Sequence, residues 1–300
     1  MSDWFRGFEQ ERVRVGDLRL NVRHNLALAA HRPPLLLLHG FPQTHVMWHR
    51  VAPRLGERYA VVAPDLRGYG DSDKPVSDDS HAAYSKRATA ADAAALMRQF
   101  GFERFGVCGH DRGGRVAHRM ALDHPAAIDR LMLLDISPTQ TMYERTDMAF
   151  ARAYYHWFFL IQPAPMPERL IGGDPGFYLR AKLGGWGTHA LEIFDPRALA
   201  EYERCFRDPA TIHAMCEDYR AAASIDLEHD RASPQAKIVC PLHVLWGELG
   251  VVNRLFTPLR DWQAKASGPV RGRTTPGGHY IAEESPDLLL EEMFAFFGDP

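Results

Sequence analysis

Three hundred residues suit a single large α/β unit with an insertion, long enough to bury a core without disulfide or metal staples. Thirty-five basic residues stand against 38 acidic ones, a net charge of −3 with no long single-sign run, which argues against nucleic acid or a membrane surface as partner. The opening MSDWFRGFEQER has no apolar signal core, PLLLLHG is far too short to span a bilayer, and Cys108, Cys205, Cys216 and Cys240 lack metal-like spacing. A soluble, cytoplasmic chain with reduced thiols is the expectation.

In chain order, ERVRVGDLRLNVRH alternates around Gly16-Asp17 and predicts an opening β-hairpin. PPLLLLHG, YAVVAPD, RFGVCGH and RLMLLD are short, nearly continuous apolar runs that suit strands buried on both faces of a parallel sheet. Helical stretches at 84–100 and 112–123 lie between them, so a doubly wound sheet with its site at the carboxyl ends of the strands is expected. From about Thr139 the texture changes to aromatics, prolines and helical periodicity, as in MAFARAYYHWFFLI and IHAMCEDYRAAAS. Strand character returns at KIVCPLHVLWG and VRGRTTPGGHY, followed by an amphipathic helix at 286–297. Residues 1–138 and 236–300 are thus read as one α/β core, with 139–235 an inserted α-helical cap.

Gly109-His110-Asp111-Arg112-Gly113 has the form of a nucleophile elbow, a strand, sharp turn and helix that project the central side chain above the sheet. His39-Gly40-Phe41-Pro42 ends an earlier strand, where the Phe41 N–H offers an oxyanion donor beside that of Arg112. APDLRGYGDSD forms a second loop of this kind, and TTPGGHY places His279 in a glycine-rich loop after the last strand. These motifs, in this order and over essentially the whole length, resemble the α/β-hydrolase fold, and more closely its haloalkane dehalogenase and epoxide hydrolase branch, where the nucleophile is aspartate.

The chemistry explains the carboxylate. A serine alkoxide attacking an alkyl halide would leave an ether that activated water does not hydrolyse, whereas an aspartate leaves an ester. Asp111 therefore predicts substitution at an sp³ carbon, with His279 as general base for hydrolysis of the ester. Asp135, ending RLMLLD, and Glu248, after HVLWG, are both candidates to orient the histidine; Asp135 is favoured because a carboxylate ending a buried strand needs partners.

Arg112 and Arg115 lie one helical turn apart, so two guanidinium forks beside the nucleophile would hold the carboxylate of a small acid. HDRGGR resembles the pattern of the fluoroacetate dehalogenases. That resemblance implies a small anionic haloacid as substrate and halide-holding roles for His156, Trp157 and Tyr219, residues that on spacing alone read as core. It also implies a homodimer. Trp186 is a further pocket-lining candidate, and neither a cofactor nor a metal is expected. An epoxide hydrolase using the same Asp111–His279 pair is the alternative; a neutral epoxide would give Arg112 nothing to bind.

Overall fold

The computed structural model describes residues 4–187 and 190–298. Eight strands form one sheet in the order β1-β2-β4-β3-β5-β6-β7-β8. β1 (Glu9–Val15) and β2 (Leu18–His24) are the expected hairpin, and β2 runs antiparallel to β4 (Ala60–Pro64). β3 (Pro34–Leu38), β4, β5 (Phe105–His110), β6 (Ile128–Leu134), β7 (Leu242–Gly247) and β8 (Val270–Thr275) are all parallel. Every residue of β4 and β5 is buried, which explains why their sequences run apolar without alternation.

Helix α1 (Lys86–Gln99) starts where the Ser85 hydroxyl accepts the Ala88 N–H, and helix α2 (Arg112–Asp123) is separated from β5 by Asp111 alone. Between β6 and β7 the described residues contain eight helices and no strand in the sheet. Three of them are α3 (Tyr155–Leu160), α4 (Pro175–Gly184) and α5 (Pro209–Ala223). The chain closes with α6 (Pro286–Phe297). Short helices such as Ala52–Leu55, Val251–Leu255 and Ile281–Glu284 are absent from the expected elements, because four or five residues carry too little periodicity to announce a helix. No helix among the described residues is long and apolar enough to cross a membrane.

The parallel strands bring four chemistry-bearing residues to one edge. Asp111 follows β5, Asp135 follows β6, Glu248 follows β7, and His279 lies four residues beyond β8. This is the carboxyl end of the sheet, where helix N-termini and loops converge.

Candidate active site

The turn that presents Asp111 is forced by close backbone packing. Asp111 sits at φ 46°, ψ −113°, a region costly for any residue with a side chain. A Cβ at Gly113 would come within 2.4 Å of the Leu38 and His39 carbonyl oxygens, and one at Gly109 within 2.6 Å of the Gly113 oxygen. Only glycine lets α2 start against β3 and β5 at this spacing. Asp135 repeats the device at φ 50° after β6. Both strained residues are buried carboxylates.

Asp111 is only 6% exposed. Its Oδ1 accepts the Phe41 N–H at 3.0 Å. Arg112 opens α2, so its N–H belongs to the first turn, which has no acceptor within the helix. Burial alone would raise the Asp111 carboxyl, but His279, Arg115, His110 and Arg112 together hold it below the usual carboxylate range. The carboxylate is therefore anionic at neutral pH.

His279 Nδ1 lies 2.6 Å from Asp135 Oδ2, while Asp135 Oδ1 accepts the Gly247 N–H at 3.0 Å. Glu248 is exposed, and its backbone N–H and carbonyl bond Thr275 and Asn253. Of the two candidate acids, Asp135 is the one against the imidazole. Burial disfavours the imidazolium, but the bond to Asp135 and the charges of Asp135 and Asp111 outweigh it and raise His279. The loop that carries His279 is held at both backbone polar groups of that residue: the His279 N–H donates to the Trp186 carbonyl at 2.9 Å, and its carbonyl accepts from His110 Nε2 at 2.8 Å. Glu284 accepts the N–H groups of Gly278 and Tyr280 on either side, each at 2.9 Å. His110, pushed down to about 3 by burial, is neutral and serves this loop.

The two arginines are buried and differ from the expected pair of open forks. Arg112 Nε donates to Asp218 Oδ2 and Nη2 to the Asp218 carbonyl, both at 2.6 Å, so the edge suited to bidentate binding is already occupied. Asp218 is shared with Lys86 and with the Tyr69 hydroxyl, the latter at 2.8 Å. Arg115 Nη1 reaches Thr139 Oγ1 at 2.9 Å and the Ser137 carbonyl at 3.2 Å. Its Nη2 lies 3.3 Å from Met142 Sδ. Arg112 Nη1 and Arg115 Nε are buried without a hydrogen-bond partner among the described residues. One free N–H site per arginine replaces the two forks.

The helices between β6 and β7 close over this floor with rings. His156 stacks on Phe41 at 5.8 Å, and Tyr219 meets the same ring edge-on at 5.3 Å. Trp186 lies 4.5 Å from His156 and 5.6 Å from His279. The Arg112 guanidinium covers Tyr219 at 4.2 Å, and that of Arg115 covers Trp157 at 4.7 Å. His156 Nδ1 and the Tyr219 hydroxyl are buried without partners among the described residues. Burial first, then Lys182, His279 and both arginines, hold His156 well below its ordinary value, so the ring is neutral. Tyr219 is held well above its ordinary value by burial and keeps its O–H. The sequence-predicted residues Phe41, Asp111, Arg112, Arg115, Asp135, His156, Trp157, Trp186, Tyr219 and His279 thus come together, and Glu248 does not.

The family model described as alpha/beta hydrolase fold matches residues 33–286. The chain belongs to the α/β-hydrolase family. Among curated α/β-hydrolases it is similar to a fluoroacetate dehalogenase from Burkholderia sp, 47% identical over 295 residues, 98% of this chain and 95% of that protein. A soluble epoxide hydrolase from Corynebacterium sp. strain C12 is 32% identical, covering 88% of this chain and 90% of that one. A solved structure from Nostoc sp PCC 7120, named at the level of the α/β-hydrolase fold, superimposes with a TM-score of 0.94 at 53% identity, covering 98% of this chain and 99% of that one.

Sequence reasoning missed several residues around this α/β-hydrolase site. Asp218, Lys86 and Tyr69 set the posture of Arg112, Glu284 braces the loop that carries His279, and Tyr154 lies 5.2 Å from His156. Asp218 carried one signal, an acid immediately before Tyr219 in CEDYR. Lys86 and Glu284 carried none, since each looks like an ordinary charge on a helix.

Proposed function

We propose that this α/β-hydrolase is a haloacetate dehalogenase that converts fluoroacetate and water to glycolate and fluoride through an ester on Asp111. The observation that carries the reading is the pair of buried, unpartnered guanidinium nitrogens, Arg112 Nη1 and Arg115 Nε, grouped with an anionic elbow carboxylate. Two buried cationic donors left open need an anionic acceptor, and a substrate carboxylate supplies one oxygen to each. The similarity to the Burkholderia fluoroacetate dehalogenase supports the same substrate class.

In the first step Oδ1 of Asp111 is occupied by the Phe41 N–H, leaving Oδ2 to attack the halogen-bearing carbon. An oxygen–carbon bond forms, the carbon–fluorine bond breaks, and fluoride leaves with the bonding pair. His156, Trp157 and Tyr219 offer neutral N–H and O–H donors to that small, strongly hydrated anion; the free His156 Nδ1 and Tyr219 hydroxyl support this role. In the second step water attacks the Asp111 carbonyl carbon. Asp135 holds Nδ1, so Nε2 of His279 takes the water proton. The oxygen that becomes the oxyanion already faces the Phe41 N–H, with the Arg112 N–H as the second donor. Collapse of the tetrahedral intermediate expels the glycolate oxygen, which takes the proton from His279, and the regenerated Asp111 carboxyl loses the second water proton through His279 to solvent.

The electrostatics fit this order. The Asp111 charge is one of the forces raising His279 in the free enzyme. Esterification removes that charge, so the imidazole loses its proton more easily when a base is needed.

Epoxide hydrolysis is supported as a second reading by the Corynebacterium relative and by the free Tyr219 O–H, a proton donor for an opening epoxide. Incubation with fluoroacetate, chloroacetate and styrene oxide separates the two. Halide release without diol formation is expected; diol formation without halide release would reverse the assignment.

A further inference from the structure

Lys182, near the end of α4, is 4% exposed, yet no acidic side chain pairs with it among the described residues. Its ammonium is held instead by rings: Tyr155 at 3.6 Å, Trp186 at 5.1 Å and Tyr178 at 5.8 Å from the ring centroids. The Tyr280 hydroxyl, next to His279, donates to the Lys182 carbonyl at 3.3 Å and fixes this end of the helix to the loop that carries that histidine. Ring quadrupoles compensate a partly desolvated cation only in part, so the ammonium of this largely buried side chain, without a counter-ion among the described residues, remains receptive to an anion.

The position of the cage gives that receptivity a use. Tyr155, on one side of the ammonium, is 46% exposed. Trp186, on the other side, contacts the buried His156 at 4.5 Å and His279 at 5.6 Å. Solvent, ammonium and reaction site therefore follow one another through adjacent rings. The nucleophile is itself an anion, and it repels both a haloacid arriving and a halide that lingers.

We propose that the Lys182 cage is an auxiliary binding station for small monovalent anions, outside the arginine pair, through which the substrate carboxylate enters or the released halide departs. This inference rests on the haloacid reading above. Burial lowers the ammonium to about 8, so it is mainly charged at neutral pH and its attraction fades in mild alkali. The His156 imidazole feels the same charge.

Lys182→Met removes the charge while keeping a long apolar stem, and Lys182→Arg keeps the charge. Bromide titration at constant ionic strength, read by tryptophan fluorescence, tests the station without requiring turnover. Trp186 lies beside the ammonium and a bound heavy halide quenches it. The saturable quench is expected to weaken about tenfold or more in Lys182→Met and to persist in Lys182→Arg. Steady-state rates with chloroacetate then identify the source of the anion. A KM raised about tenfold at nearly constant kcat marks the entering carboxylate; an unchanged KM with weaker inhibition by added fluoride marks the leaving halide. Bromide binding within twofold of wild type in a Lys182→Met protein that melts normally overturns the proposal. Unchanged KM together with unchanged fluoride inhibition also overturns it. Should Lys182→Met fail to fold, Lys182→Gln is read by the same criteria. If the wild type releases no halide from any haloacetate, the functional reading fails, while the bromide titration still decides the station.

Discussion

Replacing Arg115 by methionine separates substrate recognition from scaffolding. Arg115 is buried, but its partners are neutral: the Ser137 carbonyl, the Thr139 hydroxyl, the Met142 sulfur and the Trp157 ring. The substitution therefore breaks no hydrogen-bonded ion pair, and Asp111, which Arg115 supports only through space, keeps the Phe41 N–H and the charges of His279 and Arg112. Lost hydrogen bonds of this kind cost about 1 kcal/mol each, and methionine refills part of the volume. A bound substrate carboxylate fares differently. Two unit charges 4 Å apart at an effective dielectric constant of 20 attract by about 4 kcal/mol, or about three decades in affinity. With Arg112 still present, kcat/KM for fluoroacetate and chloroacetate is expected to fall about 100- to 1000-fold. Initial rates from a halide electrode, with chloroacetamide as the neutral comparison, provide the assay. The neutral analogue should lose about tenfold at most, and the melting temperature should shift by only a few degrees. Arg115 also helps hold the Asp111 carboxyl down, so the acid limb of halide release, lost as pH falls through the Asp111 titration, should move to higher pH in the variant. Equal losses for charged and neutral substrates in a folded variant would refute the clamp.

Asp111→Asn should abolish halide release, because a neutral amide is a poor nucleophile; steady turnover without reversion of the asparagine to aspartate would remove Asp111 from the mechanism. His279→Asn should release about one equivalent of halide per site and accumulate an ester, visible as a mass increase on the Asp111 peptide. Asp135→Asn should slow ester hydrolysis by up to about four decades, as loss of the orienting acid does in serine triads, whereas Glu248→Gln should remain within about twofold of wild type. In the wild type, ester hydrolysis should rise with pH as His279 loses its proton. Asp135→Asn removes the bond that supports the imidazolium, so that limb should move to lower pH even as its plateau drops.

The sheet was legible because its strands are buried on both faces and so read as short, unbroken apolar runs ending in small or polar residues. The elbow was legible because steric demands at Gly109 and Gly113 leave one residue type, and the choice of aspartate at its apex restricts the chemistry. The posture of Arg112 was not. It depends on Asp218, 106 residues away on α5, and no local periodicity reports a pairing at that separation. The link between the Trp186 carbonyl and the His279 N–H was hidden for the same reason, since backbone partners carry no side-chain signature. Spacing along a helix placed Arg112 and Arg115 together; it did not reveal that one guanidinium edge was already taken.

A single turnover in ¹⁸O-labelled water, with enzyme in excess over fluoroacetate or chloroacetate, tests the covalent mechanism most directly. Water attacking the Asp111 carbonyl carbon leaves its oxygen in the carboxylate, while the glycolate hydroxyl carries an unlabelled oxygen from Asp111. Label in the Asp111 peptide and none in the first equivalent of glycolate is the predicted result. Label appearing directly in that glycolate, with Asp111 unlabelled, would show that water displaces the halide itself and would contradict the ester.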